Sequence, residues 1–481
     1  MKYRSKRKQR AIILVILLII AGCKKDHPAA PPPPPPKSSE KTVTSFTFQS
    51  VDNGAVLIAD INGNIGTDTI TLFINQGTDI SSLIPTIDHS GVSLSPASKV
   101  VQNFTGLVNY TVTAEDGSTK KYFVKVVLVR ANQRMYIGSD DGNLYALNTN
   151  TGTLVWKYST GSPIQSSPTV VNNTVYAGSN DKYLYAIDAT TGILKWKYFT
   201  SSTIWYGSPV VSNGTVFISC ANNYPDGYIQ AVDTATGLLK WKSWVPSPTS
   251  PTITDGKVFV SSIEGRTSAF NELNGDTIWV KTLGITASNP AINNGKLYME
   301  GSPGGNEIRC IDPGNGNIIW RNSRSTGPSG PTVDNETVYL SSSNAEQFVE
   351  AFDAITGGFK WKYQPIHGGD YNAVPRPPSC PVVLDGILYA GLHHGPFYAI
   401  NAETGTLSWQ FTAPADGLFS NPTAANGVVY AGSSDKYIYA LDAVTGALKW
   451  KFLTGAAVYS GPCVVDSEGE VFHAGSSGSK N

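Results

Sequence analysis

From about residue 135 onward, the chain repeats one pattern of short segments in which apolar and polar positions alternate. One copy reads Val175-Tyr-Ala-Gly-Ser, Leu184-Tyr-Ala-Ile-Asp188, Ala189-Thr-Thr-Gly192, Leu194-Lys-Trp196 and Ser208-Pro209-Val-Val. A later copy reads Val429-Tyr-Ala-Gly-Ser, Ile438-Tyr-Ala-Leu-Asp442, Thr445-Gly446 and Leu448-Lys-Trp450. Period-two alternation broken by Gly, Asn and Asp predicts short strands joined by tight turns, four to each copy. Eight of the ten tryptophans mark the copies: Trp156, Trp196, Trp241, Trp279, Trp320, Trp361, Trp409 and Trp450. Their seven intervals span 294 residues with a mean of 42, which is the period of a four-stranded propeller blade. The expected fold class is therefore all-β, an eight-bladed β-propeller over residues 134–481. The first copy starts at Met135-Tyr-Ile-Gly-Ser139 without an innermost strand, and Ser460-Gly-Pro462-Cys-Val-Val465 supplies that strand to close the ring. Val471-Phe-His-Ala-Gly475 is then surplus, and the pattern assigns it no place.

Residues 42–130 lack this repeat but are rich in strand patterns. The clearest is Tyr110-Thr-Val-Thr-Ala114 and Tyr122-Phe-Val-Lys-Val126 about Glu115-Asp116-Gly117, a hairpin signal. Several such strands in this length predict a small Ig-like β-sandwich, serving as a spacer or an adhesion-type module. It resembles the small Ig-like domains that follow the anchor in Gram-negative surface lipoproteins.

The start of the chain reads as an address. Met1–Arg10 holds six basic residues and no acid, and Ala11–Ile20 is an apolar run of ten. That run is too short to span a bilayer, so residues 1–22 are expected to be a cleaved signal. Leu18-Ile-Ile-Ala-Gly-Cys23 resembles a bacterial lipobox, which implies lipidation (palmitate) at Cys23. Lys24 stands where an Asp would signal inner-membrane retention in enterobacterial lipoproteins, so the expected location is the outer membrane, on either its periplasmic face or the cell surface. Residues 23–41 form the anchor and linker, with Pro28–Pro36 predicted as a polyproline II stalk.

The repeat resembles that of the pyrroloquinoline-quinone-type (PQQ) propeller family. Its motif Ala-x-Asp-x-x-Thr-Gly-x-x-x-Trp is complete at Ala186–Trp196, Ala231–Trp241, Ala351–Trp361 and Ala440–Trp450, with Asn401 replacing the Asp in copy seven. The resemblance implies that each Trp docks on the neighbouring blade. It also raises a quinone-dependent dehydrogenase, whose alcohol-oxidising members carry adjacent cysteines over the cofactor. Here Cys220, Cys310, Cys380 and Cys463 are scattered, and they are expected to be free thiols on strands of different blades. No C-x-x-C, H-E-x-x-H, G-x-S-x-G or phosphate-loop pattern occurs. Ser179-x-x-Lys182 and Ser433-x-x-Lys436 match a Ser–Lys pair only because they fill the same turn of two copies. The expectation is no catalytic residues, no metal and no cofactor.

Overall Lys plus Arg and Asp plus Glu are both 36. Without residues 1–22 the balance is 30 against 36, an acidic body unsuited to nucleic acid. The closest functional resemblance is to the propeller lipoproteins of the outer-membrane β-barrel assembly machinery, which implies a protein-interaction scaffold. The alternative is a cell-surface receptor for a glycan or another ligand. Loop lengths place a candidate binding rim on the face of the longer connections, at Trp205, Tyr206, Tyr224, His367, Asp370, Tyr371, Arg376 and His393. Aromatic, Arg and His side chains there suit a protein partner or a glycan.

Overall fold

The computed structural model describes residues 36–473 except 55, 58–59, 76–77, 130–133, 206, 222–225, 263, 284–288, 302–306, 324–328, 342–347, 366–378, 393–394, 414–418 and 466–470. Cys23 and the Pro-rich segment up to Pro35 lie outside these residues. Among the described residues no helix is long and apolar enough to cross a membrane.

Residues 43–129 build two sheets. Ile61–Asn62, Val43–Phe48 and Pro85–His89 form one, and Asn64–Ile65, Thr69–Asn75, Thr119–Val129, Val108–Thr113 and Ser93–Ser95 form the other. The hairpin about Gly117 forms with Tyr110 opposite Tyr122, and Gly117 takes φ +84° at the turn. Thr69–Asn75 runs parallel to Thr119–Val129, a pairing that needs a long crossover rather than a hairpin. Phe46, Phe48, Phe104 and Tyr110 close the core edge to face, with ring centroids 4.8–6.4 Å apart.

From Arg134 the described residues form eight sheets, numbered here in order of their tryptophans. The second is representative: Thr169–Val171, Thr174–Gly178, Tyr183–Asp188 and Leu194–Phe199, all antiparallel, from the ring axis outward. In each sheet the register slips by one residue beside the Trp strand, a bulge that raises local twist. Two-residue turns such as Asn213-Gly214 and Asn426-Gly427 hold both central residues at positive φ, the geometry that suits a twisted hairpin. The result is a β-propeller.

The first sheet is stitched from both ends of this region. Its strands Leu154–Ser159, Asn143–Asn148 and Arg134–Gly138 are continued inward by Cys463–Val465, with Cys463 opposite Tyr136. The surplus segment Val471–His473 then pairs with Cys463–Val465 on its other edge, as a fifth and axial strand. Of the four cysteines, Cys220, Cys310 and Cys463 are on strands of the third, fifth and first sheets. Cys380 departs from expectation, because it lies just before the strand Val382–Leu384 rather than on one. It precedes Pro381, which has no N–H to give a strand ladder.

Candidate functional site

The tryptophans determine how sheet meets sheet. Trp156 Nε1 donates to Ala189 O at 3.1 Å, Trp196 to Thr234 O at 2.9 Å, and Trp241 to Glu272 O at 2.9 Å. Trp279, Trp320, Trp361 and Trp409 each reach the next sheet's carbonyl at 3.0 Å. Trp450 completes the cycle on Thr149 O of the first sheet at 2.7 Å. Every ring also lies on a turn glycine of the neighbour. A Cβ on Gly192 would stand 2.7 Å from Trp156, and its φ of +74° excludes most side chains in any case.

The Asp of the motif shapes that turn. Asp233 Oδ1 accepts from the N–H groups of Ala235 and Thr236 and from the Thr236 hydroxyl, at 2.9–3.1 Å. The Thr236 bonds, backbone first, followed by Lys240, lower the Asp233 pKa to about 2. These residues are structural: the Asp fixes the turn, the turn presents the Gly, and the Gly receives the Trp. The Ser–Lys pairs are structural too. The Ser179 hydroxyl donates to Thr160 Oγ1 at 3.1 Å, and Lys182 and Lys436 share the same φ of +75° at their turns.

A second regularity divides the ring in two. In the seventh, eighth, first and second sheets, the third strand carries Tyr398, Tyr439, Tyr145 and Tyr185. Each meets an aromatic of the preceding sheet: Tyr363, Phe411, Phe452 and Tyr158, at 5.4–5.7 Å between centroids. The equivalent positions of the third to sixth sheets hold Gln230, Ser268, Arg309 and Glu350, all buried. Tyr198 there donates to Gln230 Oε1 at 2.7 Å, and the Arg309 Nε donates to Glu307 at 2.9 Å. The second strand changes in step. It ends in Gly391, Gly432, Gly138 and Gly178 in one arc, where a side chain would overlap the loop residues Phe419, Val458, Ile164 and Ile204. The other arc has Ser219, Ser261, Glu300 and Ser341.

Of the candidate rim, Trp205 is described and 60% exposed, in the loop between the second and third sheets. Tyr206, Tyr224, His367, Asp370, Tyr371, Arg376 and His393 lie outside the described residues. The periodicity overlooks Trp244, the other tryptophan out of the repeat, at the end of the strand Leu239–Trp244 and 49% exposed. Arg266 stands with Cζ 5.6 Å from its ring, and Lys242 Nζ stands 3.6 Å from the Tyr228 ring centroid. Among the described residues no group of three or more His, Cys, Asp or Glu is placed to hold a metal ion.

Comparison with known proteins agrees with the ring of sheets. The chain is similar to BamB from Moraxella catarrhalis, at 21% identity and a TM-score of 0.52, over 63% of this chain and 91% of that one. It is similar to the computationally designed Ika8 protein, at 13% identity and 0.50, over 65% and 95%. It is also similar to a europium-containing methanol dehydrogenase, at 16% identity and 0.51, over 67% and 84%. At these identities the likeness shows the fold. No curated protein matches the chain. The family described as "SGBP, N-terminal" matches residues 43–126. The family described as "Outer membrane protein assembly factor BamB" matches residues 119–320, 280–363 and 373–480, most of the chain and all eight sheets of the ring. The chain belongs to this BamB family.

Proposed function

We propose that this chain is a non-catalytic outer-membrane lipoprotein whose eight sheets form one closed eight-bladed propeller, acting as a protein-interaction scaffold. In this reading residues 1–22 are removed, Cys23 carries the lipid and residues 23–41 hold the body off the membrane. Residues 42–130 are an Ig-like sandwich and residues 134–481 are the propeller. The observation that carries the reading is the axial strand Val471–His473. A ring of sheets offers its enclosed space at the axis, and this chain lays a strand of its own there, beside Cys463–Val465. His473 on that strand has its pKa pushed down to about 4 by burial. No two cysteines of the chain are adjacent, unlike the pair over the cofactor in the alcohol-oxidising quinone enzymes. The family match supports an assembly role, while the dehydrogenase likeness reaches only to the fold.

The test is affinity purification from detergent-solubilised outer membranes. Recovery of β-barrel assembly subunits in stoichiometric amount is the expected result. Dye-linked alcohol or sugar oxidation on adding PQQ and calcium would overturn the non-catalytic reading. A second reading, a cell-surface receptor binding a glycan or another ligand at the variable-loop rim, is favoured by the exposed Trp205. Protease added to intact cells separates the two locations, since a periplasmic propeller survives it.

A further inference from the structure

Eight of the ten tryptophans are taken up by the ring, and the two left over are both exposed on one rim. Trp205 is 60% exposed and Trp244 is 49% exposed. Phe199, at the end of the second sheet's outer strand, is 54% exposed. Phe199 and Trp244 occupy the same position, three residues beyond a repeat Trp. There the other six copies carry Ser, Thr, Gln or Leu. Among the described residues, the three Trp and Phe side chains of the ring that are about half exposed or more all fall at neighbouring sheets, whereas Phe359 of the sixth sheet is 39% exposed. The repeat does not explain this grouping, and exposed apolar surface gathered in one place marks an interaction surface.

The local register gives the patch its layout. Cys220, Tyr228 and Trp244 are successive partners across the third sheet, so Cys220 and Trp244 are two strand spacings apart, about 10 Å. Ala221 N–H donates to Thr203 O at 3.0 Å, which ties the loop bearing Trp205 to the same end of that sheet. Tyr183 stands opposite Phe199 in the second sheet, with centroids 5.2 Å apart. Cations are threaded through these rings. Lys197 lies 4.5 Å from the Tyr183 centroid, Lys242 lies 3.6 Å from Tyr228, and Arg266 lies 5.6 Å from Trp244. A Lys over an aromatic recurs in the sixth and eighth sheets, so that pair alone is part of the repeat. The combination with Trp205, Trp244 and Phe199 is particular to this arc. Among the described residues no carboxylate pairs with Lys197, Lys242 or Arg266. Each cation therefore retains its charge for a ligand, although Asp226 and Asp181 stand on the same rim.

We propose that the rim of the second to fourth sheets is a platform for an acidic polysaccharide, with Trp205 and Trp244 as stacking surfaces and Lys197, Lys242 and Arg266 as partners for its carboxylates. This rests on the receptor reading of the rim. A sugar ring has apolar C–H faces that cover an exposed indole, whose negative face attracts those C–H groups, and the nearby cations favour anionic chains over neutral ones. An extended polymer suits rings set on an open surface, where a small ligand would need a pocket.

The experiment is titration calorimetry of the soluble chain from residue 36 against polygalacturonate, alginate and hyaluronan, with dextran as the neutral comparison. The expected result is binding of at least one acidic polymer, weakening as salt rises, and no binding of dextran. Trp205→Ala/Trp244→Ala and Lys197→Glu/Lys242→Glu should each weaken it tenfold or more at an unchanged melting temperature. Unchanged affinity in both variants overturns the platform and leaves the receptor reading standing. No binding of any acidic polymer by the parent chain overturns the proposal, while the receptor reading, which admits a neutral glycan or another ligand, stands. Tighter binding of dextran than of the acidic polymers overturns the charge assignment, and with it the proposal.

Discussion

Asn64 Nδ2 of the N-terminal unit donates to Asp442 Oδ2 of the eighth sheet at 2.8 Å. Asp442 is fully buried, whereas its counterparts Asp188, Asp233 and Asp353 stay partly open. Lys449 lies 3.9 Å from it, and burial lowers the Lys449 pKa, with Asp442 opposing the shift. The N-terminal unit thus covers one particular turn of the ring. Asn64→Ala leaves that buried carboxylate one donor short and should loosen the junction, a cost of about 1–3 kcal/mol. Calorimetry should show the two units melting further apart than in the parent chain.

The closing contact from Trp450 to Thr149 spans a joint where the chain is not continuous. Trp450 is partly buried, and Trp450→Ala should cost about 3 kcal/mol, the low end of the range for a tryptophan cut to alanine. Trp361→Ala, inside the continuous run, should cost a similar amount at equilibrium but unfold more slowly, because its neighbours remain covalently in sequence. Denaturant chevrons compare the two.

Two truncations separate the inner strands. Ending the chain after Val465 removes the axial strand alone and should preserve a monomeric ring with a more open axis. Ending it after Val458 also removes Cys463–Val465 and exposes the edge of Arg134–Gly138, which should cause aggregation. Light scattering and melting temperature read both.

Asp233 has a pKa of about 2 in the folded chain, against an ordinary value of 3.8. Its carboxylate contributes stability that is complete above about pH 4 and is lost as the pH falls towards about 2. Asp233→Asn should lower the melting temperature at neutral pH and flatten its decline across that window.

Cys23→Ser should release the chain from the membrane fraction into the soluble fraction. Retention after a salt wash would argue against a lipid anchor.

The ring was legible because its cement is periodic: a tryptophan, its receiving glycine and the Asp that shapes the turn recur together, so one copy explains the rest. The hairpin about Gly117 was legible for a local reason, since an Asp-Gly turn needs no distant partner. Other features depend on what lies across a seam. The sequence of Val471–His473 matches a second strand, but the edge free to receive it is the axial side of Cys463–Val465, which only the closed ring creates. The division into a tyrosine arc and a polar arc needed the register of neighbouring sheets, because Gln230 looks like a surface residue until Tyr198 of the preceding sheet is placed beside it. Trp244 was passed over since it lies three residues from a repeat tryptophan and reads as an ordinary strand end.

Closure of the first sheet joins Gly138 to Ser460, 322 positions apart, by a 3.1 Å hydrogen bond. At roughly 5–20 residues per second, a ribosome takes about 16–64 s to make the intervening chain. A hairpin forms in about 1–10 μs, so the second to eighth sheets can zip up as they emerge while Arg134–Gly138 waits with one flank unpaired. The ring therefore closes only once Ser460 has been made, and for up to about a minute the growing chain carries an open strand edge that an escort factor has reason to cover.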